Sequence, residues 1–319
     1  MLNYTYMKQA FNLNDYIEDI ELNSLKGRMI HAPARSTKAK NTNILFVHGH
    51  HSSLERMRGV ADLMMDYGNF CLPDMPGFGG MDHLYSIGEK PSIESLADYM
   101  AAFIKLKYGS KKKFVIVGYS MGFLVVTRML QKYPALRKQV TEVVSLAGLL
   151  HKDDLKFTKK RRFIYLASAK ILGTRLASFV TREIFLRKWF LGTIYTRSHN
   201  AKNKFDGLTT EDLKKMINFE VGLWRMNHIP TWTYTSTEML TSDLVSDVEQ
   251  MTIPLIAVTI DADNYFDNAT VEQHLRIAYS DVKMMKASSS KHGGSMVETA
   301  SDAMPFFPKA LRKHLKSLR

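Results

Sequence analysis

The stretch VIVGYSMGFLVVTRML, residues 115–130, decides the fold. An apolar, β-branched run ends at Gly118, and an amphipathic, helix-forming run begins at Met121. Between them lies Gly118-Tyr119-Ser120-Met121-Gly122. Gly-x-Ser-x-Gly alone is a weak signal, expected by chance on the order of once per ten chains of this length. Its place between strand and helix makes it specific. A tight turn at the C-terminal end of a strand exposes the Ser120 side chain, and the two glycines avoid collisions with the adjacent strand and helix. The helix that starts there aims N–H groups and a partial positive charge at the same spot. The simpler alternative is a serine that caps an ordinary strand–helix turn.

Outward from this corner, short apolar runs alternate with helix-length amphipathic segments. Residues 43–48, 113–118, 141–148 and 253–260 read as strands buried on both faces, with 281–288 a weaker example. Residues 53–67, 92–108, 121–133 and 270–279 read as helices. The alternation predicts an α/β fold with a mostly parallel central sheet and helices on both faces. Near the N-terminus, two runs flanking 23–27 predict a hairpin on the sheet edge. The rhythm breaks near Leu150 and resumes at Ile253. The intervening residues are basic and aromatic, with helices expected over 161–170 and 175–191 and after the LTTED stretch, where Thr209 and Asp212 form a capping signature. This divides the chain into a core, 1–149 and 251–319, and an inserted helical segment, 150–250.

The net charge of +13 is concentrated. Residues 152–204 hold fourteen Lys/Arg against three Asp/Glu, so nearly all the excess lies in the insertion. A chain-wide nucleic-acid coat is therefore not expected, and no base-reading motif accompanies the charge. The single cysteine, Cys71, excludes an intramolecular disulfide and a multi-cysteine zinc site. The start of the sequence does not read as a secretory signal, and no run of about 18 apolar residues predicts a membrane span. A cytoplasmic protein is expected, with peripheral contact at a membrane through the basic insertion.

Three stretches together resemble the α/β-hydrolase superfamily of serine hydrolases. LFVHGHHSS, residues 45–53, is similar to its strand and oxyanion loop. PDMPGFGGMD, residues 73–82, is similar to its Asp-x-x-Gly-x-Gly loop, and GYSMG to its nucleophile elbow. The resemblance implies an α/β-hydrolase fold in which 150–250 is a helical cap. It also implies that the backbone N–H groups of His50 and Met121 form the oxyanion hole. A rival reading of HGHHSS is a zinc cluster, since His48 and His50 fit a His-x-His-x-Asp-His motif. Ser52 and Ser53 stand where Asp and His are needed, so no metal and no organic cofactor are expected.

In that superfamily the chain order is Ser, acid, His. Beyond the insertion the histidines are His274, His292 and His314. His292 lies in the small-residue stretch SSSKHGGS directly after a predicted strand, and is the expected base. The acid is expected in DADNYFD; the resemblance favours Asp263, with Asp261 and Asp267 as alternatives because Ile260 replaces a customary glycine. The implied activity is hydrolysis of a carboxylic or lipid-like acyl ester through an acyl-enzyme. Carbon–carbon bond hydrolysis by the same triad and a non-catalytic interaction module are the alternatives. In the insertion, Phe163, Leu166, Ala167, Ile171, Leu176, Phe179, Val180 and Ile184 fall near helical spacing. They are expected to pack over the active site, with weak docking on anionic lipid, aided by Trp189 and Phe190, as an added property.

Overall fold

A computed structural model describes residues 11–181, 183, 209–246, 248–261, 263–289, 292 and 297–319. Eight strands form one sheet in the order β1-β2-β4-β3-β5-β6-β7-β8. They are β1 (Ile17–Leu22), β2 (Leu25–Ala32), β3 (Asn43–Val47), β4 (Asn69–Pro73), β5 (Phe114–Tyr119), β6 (Val140–Leu146), β7 (Leu255–Ile260) and β8 (Val282–Ala287). The first two strands are an antiparallel hairpin at the edge, turned by Asn23 and Ser24 at φ 50° and 64°. Two successive left-handed residues are what a two-residue hairpin turn demands. From β4 to β8 every pairing is parallel.

Why the inner strands are apolar throughout is visible in β5. Phe114 and Ile116 point to one layer of the core, Val115 and Val117 to the other. The first layer is closed by α2 (Ile93–Tyr108), α3 (Met121–Lys132) and α8 (Asn268–Ala278); the second by α1 (Arg58–Met64) and the C-terminal α9 (Lys309–Ser317). Strand β4, NFCLP, was not expected from the sequence. It is only five residues long, begins with Asn69 and ends in Pro73, so it lacks a long β-branched signature.

Between β6 and β7 lie α4 (Lys159–Leu172), α5 (Arg175–Val180), α6 (Thr210–Met226) and α7 (Ile229–Thr241). Thr209 caps α6 by accepting from the Asp212 N–H. The helical spacing read in α4 and α5 is present, but its direction differs from expectation. Phe163, Ile171, Leu176 and Phe179 are 72%, 65%, 75% and 64% exposed. The half-buried positions of α4 are instead Arg162, Leu166, Ala169 and Leu172, and α4 packs against α7. Phe163 and Ile171 stand about one helical position round from those positions, so a one-residue rotation separates the two stripes. Ile184, Trp189 and Phe190 lie outside the described residues.

Candidate active site

Strand β5 delivers the chain to Ser120, which sits at φ 51°, ψ −119° before α3 begins. A non-glycine residue there is strained, and such strain persists only where packing over-determines it. The packing is tight. A Cβ on Gly122 would lie 2.2 Å from the Val47 carbonyl oxygen, and one on Gly118 would lie 2.5 Å from Phe123 Cα. Both neighbours are backbone, so neither can yield. Ser120 is thereby held at the end of the sheet, 9% exposed.

His292, from the loop after β8, meets it. His292 Nε2 lies 3.3 Å from Ser120 Oγ, and His292 Nδ1 lies 2.6 Å from Asp263 Oδ2. The other oxygen of Asp263 accepts from the Tyr265 and Phe266 N–H groups at 2.7 and 3.2 Å. Burial pushes the Asp263 carboxyl up, but the hydrogen bond and charge of His292, with the two backbone donors, outweigh it and hold the group below its ordinary value. A buried carboxylate on Nδ1 fixes the tautomer in which Nε2 is the free acceptor, facing the serine.

The alternatives expected from the sequence are engaged elsewhere. Asp261 is exposed and pairs with Lys286 at 3.0 Å. Asp267 caps α8, accepting from the Thr270 N–H at 2.9 Å. His274 contacts Asp154 at 2.5 Å, and His314 contacts Glu142 at 2.9 Å. Sequence reading did not single out the rings that bracket His292. Tyr119 stacks on it at 5.9 Å and donates its hydroxyl to the His292 carbonyl at 2.8 Å; Phe266 meets it edge-on at 4.8 Å and Tyr265 at 5.2 Å. The only sequence signal was their place beside Ser120 and Asp263.

The β3–α1 loop carries the three histidines of HGHHSS, and their rings diverge. His48 is fully buried; its Nδ1 donates to the Gly49 carbonyl at 2.8 Å and its Nε2 accepts from the Met75 N–H at 3.0 Å. His50 Nε2 donates to the Trp232 carbonyl at 2.9 Å. The His51 ring contacts Asn227. Among the described residues, no three His, Cys, Asp or Glu side chains are grouped to hold a metal. The His50 and Met121 backbone N–H groups meet no hydrogen-bond acceptor among the described residues.

Burial pushes His48 down to about 4 and His50 down to about 3, against 6.5 for an ordinary imidazole. The folded protein thus refuses protons that the unfolded chain accepts below about pH 6.5. Their stabilising contribution is complete above that pH and is lost as the pH falls through about 4 for His48 and about 3 for His50. For His48 alone the full loss is on the order of 3 kcal/mol. Urea unfolding at pH 7 and pH 5, with imidazole NMR, checks this: lower stability is expected at pH 5 while the His48 ring signals stay those of the neutral form. A protonated His48 ring in the folded protein at pH 5 would contradict it.

The chain matches the family described as serine aminopeptidase, S33, over residues 38–292. No curated protein sequence matches it. Among solved structures, an epoxide hydrolase of Bacillus megaterium in complex with an inhibitor is similar at 14% identity and a TM-score of 0.64, covering 94% of this chain and 99% of that one. A lipase-like protein of Acinetobacter baumannii AYE is similar at 12% identity and 0.61, covering 95% and 90%. A deformylase of Pseudomonas putida S16 is similar at 15% and 0.57, covering 86% and 94%. At these identities the likenesses speak for the fold alone. The family match spans most of the chain, elbow included, and the chain belongs to the serine aminopeptidase S33 family of α/β-hydrolases.

Proposed function

We propose that this hydrolase cleaves carboxylic esters, including lipid-like acyl esters, through an acyl-enzyme on Ser120. The observation that carries the reading is the continuous Ser120–His292–Asp263 relay. His292 takes the Ser120 proton as Oγ attacks the carbonyl, and the oxyanion rests on the His50 and Met121 N–H groups. The imidazolium, stabilised by Asp263, protonates the leaving alcohol. Neutral His292 then activates the water that releases the acid. Residues 150–250 act as the cap over this site. A cytoplasmic location fits the single cysteine, Cys71, which leaves no intramolecular disulfide to form.

Epoxide opening does not suit this site. A serine oxygen that opened an epoxide would form an ether, which offers water no carbonyl for the second step. Carbon–carbon bond hydrolysis and aminoacyl amide hydrolysis use the same relay and are decided by substrate. Fluorophosphonate labelling of Ser120, followed by turnover of p-nitrophenyl esters, aminoacyl p-nitroanilides and a dienoic diketone acid, tests the assignment. Ester turnover is expected to dominate; absence of labelling would overturn the reading.

The outward face of α4 and α5 favours an anionic lipid surface as a further partner. Phe163, Ile171, Leu176 and Phe179 are exposed beside exposed Lys159, Lys160 and Lys170. Apolar side chains insert and each cation near such a surface contributes about 1 kcal/mol. Among the described residues no helix is long and apolar enough to cross a membrane. Co-sedimentation with phosphatidylserine-containing vesicles is expected at low salt and is expected to fade as salt rises; phosphatidylcholine vesicles should retain little. No binding to the anionic vesicles even at low salt would remove the lipid surface and leave the relay untouched.

A further inference from the structure

Two histidines of the oxyanion loop reach the inserted helices. His50 reaches α7, with Nε2 2.9 Å from the Trp232 carbonyl and 3.2 Å from Ser236 Oγ. His51 reaches α6. Its backbone is left-handed, φ 54°, an uncommon conformation for a side-chain-bearing residue. Its ring lies 4.1 Å from the Trp224 ring. The surrounding hydrogen bonds fix its polarity. Asn227 Oδ1 accepts from the Gly79 N–H at 3.0 Å, so Asn227 Nδ2 is the atom facing His51 Nδ1, also at 3.0 Å. Nδ1 is therefore an acceptor, and the proton sits on Nε2.

That Nε2 faces Glu220 Oε2 at 3.5 Å. Glu220 is 1% exposed on α6, and its other oxygen lies 3.5 Å from Arg56 Nη2. Arg56 in turn donates through Nη1 to the His51 carbonyl at 2.8 Å. One buried carboxylate of the insertion thus addresses both the ring of His51 and the cation that grips its backbone. A carboxylate is costly to bury unless such partners surround it.

We propose that Glu220 is a positioning residue for the oxyanion hole. By seating α6 against His51 and Arg56 it holds the strained His51 backbone, and with it the direction of the adjacent His50 N–H. The seating of the insertion and the stabilisation of the tetrahedral intermediate are then one event. This rests on the acyl-ester reading above, in which the His50 N–H receives the oxyanion. Such a residue acts on the transition state and leaves ground-state binding alone, so its loss appears in kcat and not in KM.

The test uses the full-length protein with Glu220→Gln, which keeps the shape and removes the charge, and Glu220→Ala. The expected result is a fall in kcat of roughly 10- to 100-fold on p-nitrophenyl esters, below the cost of deleting an oxyanion donor outright. KM should stay within about threefold, and the affinity for an alkyl boronic acid, which mimics the tetrahedral state, should fall in parallel with kcat. Amide hydrogen exchange of residues 49–53 should accelerate at least about tenfold in Glu220→Gln while strands β5 and β6 keep their protection. This last readout needs no turnover. Wild-type protein without esterase activity would refute the acyl-ester reading; unchanged exchange in the loop would refute the clamp whatever the activity. In an active wild type, a loss confined to KM, or unchanged boronate affinity, would also overturn it.

Discussion

Ser120→Ala is expected to lower kcat for ester hydrolysis by about 10⁶-fold. Only the hydroxyl is removed, and the elbow that carries it is held by Gly118 and Gly122 against backbone on both sides. The variant should therefore fold as the wild type does, and relief of the left-handed strain is not on offer because alanine keeps a Cβ. His292→Ala should cost about as much, since Nε2 faces Ser120 Oγ and is the atom that takes its proton. The double variant should lose little more, because the two act as one unit. Chelators should leave the wild type active. Steady-state kinetics on p-nitrophenyl esters, with active-site titration by fluorophosphonate to exclude contaminants, decides the matter. Retention of more than about a tenth of wild-type activity by pure Ser120→Ala would remove Ser120 from the chemistry.

What could be read in the sequence follows from range. The elbow was legible because its strand, turn and helix are contiguous, and each constrains the next within sixteen residues. The buried strands β3, β5, β6 and β7 were legible because both core layers take apolar side chains from each of them. Strand β4 was not, since a short run beginning in Asn and ending in Pro is stabilised by its two neighbours more than by its own composition. In α4 the helical period was legible but the buried face was not. Basic and apolar residues are interleaved there, and only the contact with α7 distinguishes the Leu166 face from the Phe163 face. The anchoring of His50 by Trp232 spans 182 residues and carries no local signature. Three aspartates within seven residues posed the same problem at the acid. Spacing from the strand could only favour Asp263; its contact with His292 depends on where a loop 29 residues later returns.

Asp263→Asn is expected to lower kcat by roughly 10⁴-fold, and the hydrogen bonds around the group say how. Oδ1 accepts from the Tyr265 and Phe266 N–H groups, so an asparagine must keep its carbonyl oxygen there. Its amide nitrogen then faces His292 Nδ1 as a donor. The imidazole answers by moving its proton to Nε2, which then points a hydrogen at Ser120 Oγ and cannot accept one. The fold should survive, since the isostere fits the same space. The deficit should be in kcat, with slower fluorophosphonate labelling of Ser120 as an independent sign that the base is in the wrong tautomer. Asp261→Asn and Asp267→Asn supply the contrast. The first removes an exposed ion pair with Lys286, worth at most about 1 kcal/mol. The second exchanges one good helix cap for another at α8. Both should remain within about threefold of wild-type kcat. If either gives the large loss and Asp263→Asn does not, the carboxylate that serves His292 in solution is a different one, and the loop after β7 must rearrange to bring it there.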